Sequence, residues 1–126
     1  MRYVLDTTLL IDHSKGRPGS AELVAWLFAE SGDLYTCDMV VTEALTGGDD
    51  VQRATIESLI RALEYVSTPP DAAVWAADSR RRRGAFGPRS LADAIIAGVA
   101  WFNDATIVTR NPADFDVQGV RVLGYE

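Results

Sequence analysis

Short apolar runs alternate with longer helical stretches along the whole chain, and this alternation restricts the fold more than any other feature. Tyr3-Val4-Leu5, Leu34-Tyr35-Thr36-Cys37, Glu64-Tyr65-Val66-Ser67, Ala105-Thr106-Ile107-Val108-Thr109 and Gly119-Val120-Arg121-Val122-Leu123 read as strands. A strand such as Tyr3-Val4-Leu5, apolar without alternation, belongs to a sheet covered on both faces. Between the strands, helices are expected over 8–12, from a Ser20 cap to about residue 30, over 39–45 behind an Asp38 cap, and over 51–63. Two more run from Thr68 towards Arg83, with Val74, Trp75 and Ala77 inward, and from a Ser90 cap through Leu91 to about Phe102. The last is nearly all small and apolar, which predicts burial on most sides. Strands alternating with helices predict an α/β fold with a mainly parallel sheet.

A chain of 126 residues with 48% apolar content fits a single domain over 1–126 that buries its own core. No apolar run reaches the roughly 20 residues of a membrane helix, and Asp6 interrupts the first apolar stretch too early for a signal peptide. The one cysteine, Cys37, reads as a small core residue, and a reducing cytoplasm suits a chain that has no cysteine pair. The formal charge of −6 argues against nucleic acid as a partner. Against that stands a run of four arginines, Arg80 to Arg83. Consecutive helical residues cannot share one face, so part of this run is solvated or paired and part is free to meet phosphate or an acidic partner.

Polar residues follow strands or open helices at four comparable places. Asp6 ends the first strand; Glu43 lies on the helix after the second; Asp93 opens the buried helix; Asn111 and Asp114 follow the fourth strand. In a parallel sheet, groups just beyond the strands gather at one edge, where ligands bind. Each also has a plainer reading. Asp6 caps a helix, Glu43 faces solvent, Ser90-Leu91-Ala92-Asp93 is a capping box, and Asp114 caps a turn. Gathered in one crevice, however, carboxylates repel, so their pKa values rise or they recruit a cation. Oxygen ligands suit Mg²⁺ or Mn²⁺. The only histidine, His13, sits beside a Gly/Pro loop and reads as a surface residue. Without it, Ser-His and Cys-His chemistry fall away, and metal-assisted hydrolysis is the reaction class that remains.

Tyr3-Val4-Leu5-Asp6-Thr7, Val41-Thr42-Glu43-Ala44, Leu91-Ala92-Asp93-Ala94-Ile95-Ile96-Ala97 and Ile107-Val108-Thr109-Arg110-Asn111-Pro112-Ala113-Asp114-Phe115, in that order, resemble PIN-domain ribonucleases, and most of all the VapC-type toxins of toxin–antitoxin pairs. The resemblance implies a three-layer α/β/α sandwich, Mg²⁺- or Mn²⁺-dependent RNA cleavage, a homodimer, and inhibition by a cognate antitoxin. By position, Asp6, Glu43 and Asp93 match the family's first three acids. Asp6 and Asp93 are then the metal ligands, and Glu43 completes the shell or positions water. The fourth position falls on Asn111, where many relatives carry an acid, or on Asp114 one turn later. Thr7 and Thr109 are candidates for the pocket rim. Arg89, Arg110 and, from the arginine run, Arg82 are candidates for RNA contact. Trp75 and Trp101 are expected in the core, and Trp26 on a dimer or antitoxin surface. The uncharged Asn111 keeps open a non-catalytic regulatory module acting through a partner. A phosphatase on a doubly wound fold is a further alternative, though the chain has no Gly-rich phosphate loop in its favour.

Overall fold

The computed structural model describes residues Met1–Glu126. In chain order the elements are β1 (Arg2–Leu5), α1 (Thr7–Ser14), α2 (Ser20–Glu30), β2 (Asp33–Cys37), α3 (Asp38–Thr46), α4 (Asp50–Ala62), β3 (Glu64–Val66), α5 (Pro70–Arg83), α6 (Pro88–Phe102), β4 (Thr106–Thr109), α7 (Ala113–Asp116) and β5 (Val122–Gly124). The strands form one sheet in the order β3-β2-β1-β4-β5, and every pairing is parallel. The chain thus winds outward from β1 through β2 to β3, then returns across the sheet to β4 and β5. Because parallel crossovers are right-handed, this reversal puts α1–α4 on one face and α5–α7 on the other. The packing agrees in the main: α1 contacts α2, α3 and α4, and α6 contacts α5 and α7, with α3 also meeting α6. The result is an α/β/α sandwich whose winding reverses between β1 and β4. A crevice opens at such a point, beyond the carboxyl ends of the strands.

The central strands are apolar because both faces are covered. Val4, Leu5, Ile107 and Val108 are fully buried, against Leu9 and Leu10 of α1 on one side and Ile96 and Val99 of α6 on the other. Removing a side chain of that kind costs about 2–5 kcal/mol. The small residues of α6 allow α5 to lie very close. A Cβ built on Gly98 would stand 2.5 Å from the carbonyl oxygen of Ala72.

Several local expectations change. Helix α6 starts at Pro88, whose ring pre-sets the first helical φ. Ser90 is therefore inside the helix, its hydroxyl donating to the carbonyls of Gly87 (2.7 Å) and Ala85 (2.9 Å), and no capping box with Asp93 forms. Ser20 likewise lies within α2, behind Gly19 at φ 85°, and its hydroxyl donates to the Arg17 carbonyl at 2.6 Å. Asp38 is the first residue of α3, and its carboxylate accepts from the Tyr65 hydroxyl and from the Thr68 N–H at 3.1 Å. The helix start with a full capping box is that of α4, where Asp49 and Gln52 bond reciprocally. On α5 the inward residues are Ala72, Ala76 and Ser79, while Val74 and Ala77 face outward. Trp75 and Trp101 stack at 5.8 Å; Trp75 is partly buried against the core, as expected, whereas Trp101 is exposed. Trp26 is also exposed, edge-on to Tyr3. His13 is partly buried, not a free surface residue, and its Nδ1 has no partner. The final strand begins later than expected because residues 117–119 form a turn after α7, with Gly119 at φ 83°.

Candidate active site

Asp6 leaves β1 at the winding reversal. Its N–H still bonds the Val108 carbonyl of β4 at 3.0 Å, so the sheet fixes its backbone. Its side chain is buried, and Oδ2 accepts hydrogen bonds from Thr109 Oγ1 (2.7 Å) and Thr8 Oγ1 (3.2 Å). Burial raises the Asp6 pKa, while these hydroxyls and the Thr7 backbone act in the opposite direction. Thr109 is in turn fixed by the loop it precedes, accepting from the Asn111 N–H at 3.0 Å. The Thr8 hydroxyl accepts from the Arg110 N–H at 3.2 Å. Two threonines from opposite sides of the reversal thus hold one oxygen of Asp6.

Glu43 is exposed on α3, and its Oε1 accepts from the Thr7 hydroxyl at 2.8 Å. Asp93 lies in the second turn of α6 and is half-buried. Its pKa is pushed up to about 6, first by burial and then by the negative charges of Asp114, Asp6 and Glu43, with Arg89 partly opposing them. Three other carboxylates therefore lie within electrostatic reach of Asp93. Asp114, on α7, weighs most among the charges, and its carboxylate lies 3.9 Å from the Arg89 guanidinium. Asn111 is partly buried at the start of the same loop. No three carboxylates close into a ready-made cage around one point. The set is an open one, suited to an ion that keeps part of its water shell, as Mg²⁺ does when held by one or two carboxylates.

Beside the acids, a cleft of about 610 Å³ is lined by Arg83, Arg89, Ser90, Asp93, Asp114 and their neighbours. Of the arginines named from the sequence, Arg89 faces this cleft. Arg82 is exposed and outside it. Arg110 turns away, with Nε 3.6 Å from the buried carboxylate of Asp12. Asp12 also accepts from the Tyr125 hydroxyl at 2.7 Å and lies 3.9 Å from Arg17. Arg83, which lines the cleft, was hidden in the sequence by its three arginine neighbours, as was Thr8 by its reading as a helix start. Only the helical rotation between Arg82 and Arg83 separates them.

A parallel α/β/α sandwich with acids gathered at its winding reversal defines a class, and the chain belongs to the PIN-domain family, whose profile matches residues 3–118. It is 28% identical over 113 residues to Ribonuclease VapC19 of Mycobacterium tuberculosis (strain ATCC 25618 / H37Rv), covering 89% of this chain and 90% of that one. Its fold is shared with VapBC2 from Rickettsia felis, solved bound to a promoter DNA fragment (TM-score 0.80, 18% identity, all of both chains). It is shared also with a toxin–antitoxin complex from Klebsiella pneumoniae (TM-score 0.78, 24% identity, 98% of each chain). PIN-domain ribonucleases generally depend on divalent metal. No helix in the chain is long and apolar enough to cross a membrane.

Proposed function

We propose that this chain, as a single PIN unit over 1–126, is a Mg²⁺- or Mn²⁺-dependent endoribonuclease and the toxin of a type II toxin–antitoxin pair. The observation that carries the reading is a PIN-family chain that sets Asp6 at the winding reversal, Glu43 on the adjoining Thr7, and Asp93 and Asp114 in one neighbouring cleft. Carboxylates pressed together in this way are a site prepared for a cation. The family and the VapC19 relative support RNA as the substrate. The toxin–antitoxin complexes that share the fold support an antitoxin protein as partner; a homodimer and a cytoplasmic place of action complete the reading as what the family resemblance implies.

Asp6 and Asp93 are the metal-holding residues, with Glu43 completing the set. Asp114, the charge that weighs most on Asp93, takes the fourth position in preference to the neutral Asn111. When bound, the ion supplies Lewis acidity towards water and the scissile phosphate. The Thr109 and Thr8 hydroxyls commit Oδ2 of Asp6 and so orient Oδ1. Thr7 steadies the exposed Glu43. Arg89, beside Asp114 at the mouth, draws the RNA backbone towards the acids.

Controlled expression followed by mapping of new RNA 5′ ends tests the reading. Discrete new ends are expected with the natural chain and not with Asp6→Asn. The same ends appearing with both, or with neither, would contradict it.

A further inference from the structure

Arg83 closes α5 and lines the cleft that holds Asp93 and Asp114, yet no carboxylate pairs with it. Its guanidinium is nonetheless anchored. Nε donates to Ser79 Oγ at 3.3 Å, and Ser79 donates to Gln118 Oε1 at 3.0 Å. Gln118 Nε2 then donates to the Asp114 carbonyl at 2.9 Å. Ser79 and Gln118 are both buried. A buried polar relay therefore ties the head of Arg83 to the short helix that carries Asp114. Such a relay is costly unless every member is satisfied, and one member is not: Nη2 of Arg83 is shielded from water and has no partner. Its three neighbours in the run differ. Arg80 bonds the Ala85 and Gly87 carbonyls and so shapes the α5–α6 connection, and Arg81 and Arg82 are exposed to solvent.

Because Nη2 is shielded, the group left for an anion is Nη1, which neither bonds nor is buried; beside a second, exposed arginine in the same cleft, it makes a receptor for a planar or tetrahedral oxyanion. Arg89 is that second arm; its side chain is 82% exposed and only loosely held at 3.9 Å from Asp114. Two guanidinium groups offset the two carboxylates that line the cleft.

We infer that Arg83, held by Ser79 and Gln118, is a phosphate-binding residue for a backbone phosphate of single-stranded RNA flanking the bond at the acids, with Arg89 closing over the same phosphate. The identity of the anion as RNA rests on the nuclease reading; the receptor itself rests on the relay and the unpaired guanidinium. It assigns one arginine of four to the substrate and fixes the side from which the strand enters, between the end of α5 and the start of α6.

The test is fluorescence anisotropy of a short labelled single-stranded RNA, in EDTA and low salt, so that turnover plays no part. Arg83→Gln is expected to weaken binding roughly tenfold and to reduce the slope of log affinity against log salt by about 0.7, the loss of one phosphate contact on a single strand. Arg82→Gln is expected to change affinity less than about twofold, as for a solvated charge. Ser79→Ala keeps the charge and removes its anchor, and it is expected to give a smaller loss in the same direction. If Arg83→Gln proves unstable, Arg83→Lys, which keeps charge but lacks the fork, is expected to weaken binding without changing the salt slope. Binding equal to the natural chain in Arg83→Gln, or equal losses in Arg82→Gln and Arg83→Gln, would overturn the inference. So would a natural chain that binds no RNA. RNA bound through Arg83 but left intact with Mg²⁺ or Mn²⁺ would instead overturn the nuclease reading and leave the receptor standing.

Discussion

The Thr109 hydroxyl donates to Asp6 Oδ2 at 2.7 Å, joining the end of β4 to the end of β1 across the winding reversal of the sheet. This bond does two things. It fixes one carboxylate oxygen, and it opposes the burial that raises the Asp6 pKa. Thr109→Val keeps the shape and removes the bond, so the Asp6 pKa rises further. A group whose folded pKa is raised contributes stability that is present when it is protonated and lost as pH rises through that pKa. The variant is therefore expected to lose about 1.5–3 kcal/mol at neutral pH, the range for a hydrogen bond to a charged group. The loss should shrink in acid as Asp6 protonates. Urea unfolding at several pH values measures this, and a loss independent of pH would speak against the charged bond.

Asp93 gives a second pH signature. In the metal-free protein its folded pKa of about 6 stands above the ordinary 3.8. Its contribution to stability is complete below 3.8 and is lost as pH rises through about 6. Asp93→Asn removes that loss. Because Asp93 is half-buried, solvent screening holds the gain to about 1 kcal/mol. The variant is thus expected to melt about 3–5 °C higher than the natural chain at pH above 6 without metal, with the difference vanishing in acid. Added Mg²⁺ should stabilise the natural chain and not the variant. Equal melting curves across the pH range would remove the electrostatic strain from the account.

Gly98 tests the packing that sets the cleft. Ala at this position gains helix propensity of about 1 kcal/mol. Its Cβ, however, meets the Ala72 carbonyl oxygen at 2.5 Å, and backbone there has nowhere to retreat without moving α5 from α6. Gly98→Ala is expected to destabilise by about 1–3 kcal/mol net. A rise in the urea midpoint would show that the two helices separate freely.

The architecture was legible because its signals are long. Five apolar runs spaced by helices leave few alternatives to a parallel sheet, and the acids at Asp6, Glu43 and Asp93 could be read as neighbours from their place after strands. Local chemistry was less legible. Ser90 and Ser20 look like caps, but Pro88 and Gly19 start those helices earlier, and the hydroxyls turn back to loop carbonyls instead. Trp75 and Trp101 are both large and apolar, yet only Trp75 packs against the core, and Trp101 lies exposed, stacked on it. Individual side-chain pairings between distant residues were not readable. Asp12 meets Tyr125 across nearly the whole chain, and the same carboxylate lies 3.6 Å from Nε of Arg110. Arg83 differs from Arg82 only by one step of helical rotation, which composition does not record.

The most direct test of the account is RNA cleavage by purified Asp93→Asn beside the natural chain, each with EDTA, Mg²⁺ or Mn²⁺. The account predicts cleavage by the natural chain only with a divalent ion, and a loss of at least about a hundredfold, some 3 kcal/mol of transition-state stabilisation, in a variant that melts at or above the natural temperature. Full-rate cleavage by folded Asp93→Asn, or cleavage by the natural chain undiminished in EDTA, would contradict it.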